Sequence, residues 1–280
     1  NAGLTSEENE TEDVIETETN NAGNKVPEQI LEKERDSTTP EKEGLSDNRG
    51  KEETKKIQKK NKYFLPIIGM LILLGITGFF VYNKSEYKVG KTIEFGNYPQ
   101  DKDGTEKPIE WIVMKKEGNQ VLLLSKYVLD AKPYNEEFED VTWETSDIRQ
   151  WLNNEFYTTA FNKTEKAKIQ TSLIKNEDNS EYGTSGGNDT EDKVFLLSEK
   201  EAETLFSDEE ERIAKATEYA EKSGVYVNKE KAAWWWLRSP GGYSDGAAVV
   251  SCSGWVYGSG DDVDNDSDGV RPALHLNLQS

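Results

Sequence analysis

The longest apolar run of the chain, Tyr63 to Tyr82, carries no charged side chain, and as a helix it would span roughly 30 Å, the thickness of a bilayer core. It predicts a transmembrane helix, with Pro66 in the first turn and aromatic residues at both ends, where interfacial anchors belong. Residues 1–62 hold almost no large apolar residue and no aromatic. Such a stretch cannot bury enough surface to offset chain entropy, so it reads as disordered. Beyond the apolar run the period changes. Lys91 to Phe95, Ile109 to Met114, Gln120 to Ser125 and Val194 to Leu197 are strand-like, the second and third joined through Glu117-Gly118-Asn119. Ile148, Trp151, Leu152 and Phe156 recur at helical spacing and predict an amphipathic helix. Asn162 with Glu165, Ser198 with Glu201, and Ser207 with Glu210 have capping-box spacing, and Gly224 ends the helix that follows the last pair. Ser185-Gly186-Gly187-Asn188 marks a flexible loop. Ala247 to Cys252 and Trp255 to Gly258 flank a Ser253-Gly254 step and predict a hairpin. Leu274, Leu276 and Leu278 alternate with His275, which places the histidine on the opposite, partly exposed side of a terminal strand. Strands, then helices, then strands favour an α+β fold over a parallel α/β sheet.

Charge orients this arrangement. Lys55, Lys56, Lys59, Lys60 and Lys62 precede the apolar run, whereas Lys84 and Lys88 follow it together with Glu86. The positive-inside bias puts the N-terminus in the cytoplasm, and the long polar segment ahead of the run argues for an uncleaved anchor. The expected domains are a disordered acidic cytoplasmic segment over residues 1–62 ending in a Lys-rich stop, a membrane-embedded helix over 63–82, and an extracytoplasmic domain over 83–280. That last part holds all seven tryptophans. A formal net charge of −20 and a pI near 4.6 argue against nucleic acid, which needs a basic face. A single cysteine, Cys252, excludes an internal disulfide and most zinc sites and fits a bacterial surface.

The rarest residues gather in two runs, Trp234-Trp235-Trp236-Leu237-Arg238-Ser239-Pro240 and Gly269-Val270-Arg271-Pro272-Ala273-Leu274. Three consecutive tryptophans cannot share one side of a strand, so two are expected in the core and one elsewhere. With Phe95-Gly96-Asn97-Tyr98-Pro99-Gln100, Ile109-Glu110-Trp111, Leu123 to Tyr127, and Thr142-Trp143-Glu144 leading to Arg149-Gln150-Trp151-Leu152-Asn153, these runs resemble a bacterial domain family, the DUF6273-like domains, over about residues 87–278. Those domains are similar to C-type-lectin-like folds, the group that includes formylglycine-generating enzymes and the variable ligand-binding proteins of diversity-generating retroelements. The resemblance implies a C-type-lectin-like ectodomain of mixed antiparallel strands with peripheral helices. In the retroelement proteins the ligand is met just before the final strand, and the matching positions are Trp255 to Asp268. Formylglycine-generating relatives rely on more cysteines than this chain has.

Along Trp255-Val256-Tyr257, alternation sends both aromatics to one face, an exposed platform for a sugar ring or a peptide. Asp261 and Asp262 open an acidic stretch, Asp261 to Asp268, too polar for core and read as a surface loop that would favour a cationic partner. Arg238 and Arg271, each near a proline at a strand end, could clamp a ligand carboxylate or be paired with buried charges inside the fold. Asp264-x-Asp266-x-Asp268-Gly269 matches the first half of a calcium loop, but His275 stands where the closing glutamate should be, so a solvated acidic loop is the competing reading. No catalytic residue stands out: His275 is solitary, Cys252 lies in an apolar strand, and phosphate loops, a nucleophile elbow and zincin motifs are absent. The expected function is display of a recognition domain, anchored in lipid through residues 63–82, for an extracellular glycan, cell-wall fragment or peptide. The alternatives are an extracytoplasmic hydrolase or modifying enzyme on the same fold, which needs a deep pocket with perturbed carboxyls, and a single-pass sensor.

Overall fold

The computed structural model describes residues 87–279. The acidic segment, the Lys-rich stop and the apolar run 63–82 lie outside the described residues. Among those described, no helix is long and apolar enough to cross a membrane.

Short strands carry the architecture. In chain order they are β1 (Thr92–Pro99), β2 (Glu106–Glu117), β3 (Gln120–Ser125), β4 (Asp130–Ala131), β5 (Ile169–Gln170), β6 (Ser172–Ile174), β7 (Thr190–Asp192), β8 (Val194–Phe195), β9 (Ala214–Lys215), β10 (Ala232–Ala233), β11 (Trp235–Pro240), β12 (Gly246–Val250), β13 (Val256–Asp262), β14 (Gly269–Val270) and β15 (Ala273–Asn277). One sheet runs β1-β2-β3-β15-β5, with β8 also pairing β15. A second runs β13-β12-β11-β14-β4, antiparallel except for the β11–β14 pair. The fold is therefore mixed α+β with mainly antiparallel sheets and short helices.

Local chemistry explains most elements. Gly118, at φ +59°, makes the β2–β3 turn. All but the first residue of β3 is buried, because it is a central strand with β2 on one side and β15 on the other. The amphipathic helix forms as expected: Asp147–Trp151 continues through a π-helical turn, Leu152–Phe156, into Tyr157–Ala160, burying Ile148, Leu152 and Phe156. The capping boxes at Asn162 and Ser198 are complete in both directions. The third is displaced by one residue. Asp208 caps Glu209–Arg212, and the Glu211 carboxylate reaches back to the Ser207 N–H at 2.9 Å. That helix stops after one turn because Ala214 and Lys215 pair with β10, and the helix that Gly224 ends begins afresh at Thr217, whose hydroxyl accepts from the Ala220 N–H.

Several residues of the recurring motifs are structural ties. The buried Asp192 carboxylate accepts from Trp143 Nε1 (2.9 Å), Arg149 Nε (2.7 Å) and Thr190 Oγ1 (2.6 Å). Asn153 donates to the Val194 carbonyl and accepts from the Lys193 N–H, locking the helix to β8. The Ser185–Asn188 stretch is a loop, but a closely packed one. Gly186 lies so near the Asn176 and Glu177 carbonyls that a Cβ there would sit 2.4 Å from the first.

Candidate functional site

Three places group the residues that the sequence singles out. The first is the free edge of the second sheet, formed by β13. Trp255 is 60 % exposed and Tyr257 44 % exposed, both on the side that alternation predicts. Trp234 leaves the core and stacks on Tyr257, ring centroids 5.3 Å apart at 28°, while Trp235 and Trp236 are fully buried. The division of the tryptophan run into two core anchors and one outlier is as the sequence suggests. The outlier joins the aromatic face. A tight turn holds Trp255 in place: its carbonyl accepts from the Ser251 N–H and its own N–H donates to Ser251 Oγ. Gly254 makes the bend at φ +83°. Cys252 falls in this turn, half-buried, and not in the apolar strand expected for it.

The second place is a cleft of about 540 Å³ whose lining includes Lys175, Glu199, Lys200, Glu201, Arg238 and Ser239. Arg238 is 5 % exposed and fully engaged. It donates to Glu201 Oε2 at 2.5 Å, to the Leu196 carbonyl at 2.8 Å and to the Lys175 carbonyl at 3.1 Å. Burial pushes the Glu201 carboxyl up, but the Arg238 charge and hydrogen bond and the Ser198 N–H outweigh it and hold it below its ordinary value. Glu199 is raised, by burial first and then by Glu203 and Glu181. Two neighbouring carboxyls are thus displaced in opposite directions, one fixed as an anion and one biased toward its acid form.

The third place is the acidic connector. It begins inside β13, so Asp261 and Asp262 are strand residues rather than loop residues. Asp264 and Asp266 are exposed, whereas Asp268 is only 3 % exposed. The expected convergence of Asp264, Asp266 and Asp268 is not found. No group of three or more His, Cys, Asp or Glu able to hold a metal ion occurs among the described residues. Asp268 turns inward to face Asp261, and burial and that neighbour push its carboxyl up to about 7. The inward turn follows from β14, where pairing with both β11 and β4 buries the chain from Asp268 onward.

Arg271 belongs to none of these places. It is 1 % exposed, donates to the Ser125 and Arg212 carbonyls at 3.0 Å each, and lies 4.8 Å above the Trp235 ring. Its buried partners are carbonyls and aromatic faces rather than the charge expected, and no carboxylate is paired with it among the described residues. His275 is more enclosed than its strand position suggests, hydrogen-bonded to Ser172 Oγ at 2.9 Å and packed on Phe195. Burial lowers its proton affinity. Glu199 and Glu201 carried no sequence signal beyond the capping box, and the inward turn of Asp268 carried none.

Comparison with curated proteins returns no match, and comparison with solved structures returns none. A family model described as Domain of unknown function (DUF6273) matches residues 118–278, more than half of the chain and inclusive of the tryptophan run, Arg238, Arg271 and all three places just described. The chain belongs to the DUF6273 family.

Proposed function

We propose that this chain is a single-pass membrane protein of a bacterial surface, N-terminus inside, whose C-terminal domain is C-type-lectin-like and binds an extracellular ligand across Trp234, Tyr257 and Trp255. The observation that carries the reading is the exposed, partly stacked aromatic cluster on a free sheet edge. Large rings left in water on a scaffold that buries Trp235 and Trp236 beside them are the signature of a contact surface. A flat ring pair suits the apolar face of a sugar or an extended peptide, and Ser259, exposed on the same strand, adds a hydroxyl. The mainly antiparallel architecture built on two larger sheets supports the C-type-lectin-like reading, and the uncharged run 63–82 with its lysine-rich upstream flank supports the membrane anchor. Neither Arg238 nor Arg271 is offered to the ligand, since both are spent inside the fold.

The test is to screen the purified chain against glycans, cell-wall fragments and peptides and to repeat the screen with Trp255→Ala/Tyr257→Ala. The double variant should keep its melting temperature and lose at least tenfold in affinity for whatever the parent binds. Binding at parental strength by a folded double variant overturns the reading. A second reading, a hydrolase using the cleft, is favoured by one observation, the raised carboxyl of Glu199 beside the depressed one of Glu201. Glu201 is already committed to Arg238 and Ser198, so a carboxylate pair there would have to be Glu199 with Glu203, the neighbour that raises it.

A further inference from the structure

Asp268 presents a problem the rest of the fold does not solve. Its Oδ2 is closed to solvent and has no hydrogen-bond partner, although the side chain belongs to a carboxylate. What it faces is a second carboxylate, Asp261, whose Oδ1 accepts from the Asp262 N–H and whose Oδ2 accepts from Asn265 Nδ2, each at 2.9 Å. Other charge is turned away. Lys132, whose backbone N–H donates to the Asp268 carbonyl, sends its ammonium over the Trp151 ring at 4.8 Å. Asp264 and Asp266 point to solvent. A buried carboxylate oxygen facing a second carboxylate is stabilised by a shared proton or by a cation between them.

We propose that Asp261 and Asp268 bind one hard divalent cation of the calcium type, which joins the end of β13 to the start of β14. The site differs from the one the sequence motif suggests, since it uses the first and last aspartates of the connector and leaves Asp264 and Asp266 in water. Asp261, half-buried, gives the entry side, and the strongly acidic chain raises the local concentration of cations. With two carboxylates and no third acidic ligand, the affinity belongs to the weak class of extracellular calcium modules, about 10⁻⁴–10⁻³ M.

The experiment is a thermal melt of the full chain at pH 8 with chelator, with 10 mM calcium and with 10 mM magnesium, repeated on single variants. Calcium should raise the parental melting temperature by about 3–11 °C. Asp264→Asn and Asp266→Asn should keep that rise, and Asp268→Asn and Asp261→Asn should lose it. Asp268→Asn is near-isosteric and removes like-charge repulsion, so in chelator it should melt at or above the parent. That comparison separates loss of the site from loss of the fold. Isothermal titration of calcium at pH 8 measures the affinity directly. A parental melt blind to 10 mM calcium, a rise that survives Asp268→Asn, or a rise abolished by Asp264→Asn or Asp266→Asn each overturns the proposal.

Discussion

Arg271→Ala tests the account of the core most sharply, because the structure gives the fate of each group it would leave behind. The substitution removes the guanidinium donors from the Ser125 and Arg212 carbonyls and the cation from the faces of Trp235 and Phe206, 4.8 and 5.7 Å away. A buried carbonyl that loses its donor costs about 1–3 kcal/mol, a desolvated cation–π contact about 2 kcal/mol, and the void left by a long side chain about as much again. Against this, the buried positive charge is itself gone, which returns several kcal/mol of desolvation. No counter-ion is stranded, since the partners are neutral. The net expectation is a loss of about 2–4 kcal/mol, which for a domain of nearly 200 residues lowers the melting temperature by about 5–15 °C. Arg271→Met keeps the stem volume without the donors and should fall between parent and Ala. Urea denaturation followed by tryptophan fluorescence reads the effect at Trp235 itself. An Ala variant within 1 °C of the parent refutes the reasoning, and if it also loses ligand binding, Arg271 belongs to the contact surface instead.

Glu201→Gln leaves Arg238 buried without its counter-charge, but Glu201 keeps 35 % of its side-chain surface in water, so screening limits the loss to roughly 1–3 kcal/mol. Because Arg238 holds the Glu201 carboxyl below its ordinary value, the stability it contributes is present above the usual carboxylate range and is lost as pH falls through the folded value. Melts from pH 7 to pH 3 should therefore fall more steeply for the parent than for Glu201→Gln, and parallel curves would contradict this. Gly254→Ala should destabilise by at least about 3 kcal/mol, since it combines a left-handed φ with a Cβ that would lie 1.8 Å from the Glu209 carbonyl oxygen. Far-UV circular dichroism during urea unfolding measures it, and a shift under 1 kcal/mol would mean that the Ser251–Trp255 turn is not held as described.

What the sequence made legible was local. Alternation alone placed Trp255 and Tyr257 on the open side of β13, and cap spacing alone found the boxes at Asn162 and Ser198. The third box slipped by one because Asp208, adjacent to Ser207, is an equally good cap and local spacing cannot choose between them. The ligands of the two arginines were not legible. Arg238 finds Glu201 on another element, and Arg271 finds only carbonyls, which no side-chain pattern announces. Asp268 misled for a related reason. In an acidic run one aspartate looks like its neighbours, and its burial is decided by the strands it enters rather than by its own polarity. His275 is covered by Phe195 of β8, which pairs with its strand, and by Ser172 of β6, which belongs to the separate β6–β7 pair, and neither is its neighbour in sequence.

The place of β15 between β3 and the short strands β5 and β8 sets a timetable for the ribosome. Leu123 is paired with Leu274, and at about 5–20 residues per second the apolar edge of Val121 to Leu124 waits roughly 10–30 s after synthesis for the strand that covers it. During that interval β1, β2 and β3 form a meander with one sticky, unsatisfied side, the kind of edge on which other chains nucleate. Folding of this sheet is therefore completed only after the last strand has emerged, and a cell that makes the protein must shield that edge or keep the chain extended until then.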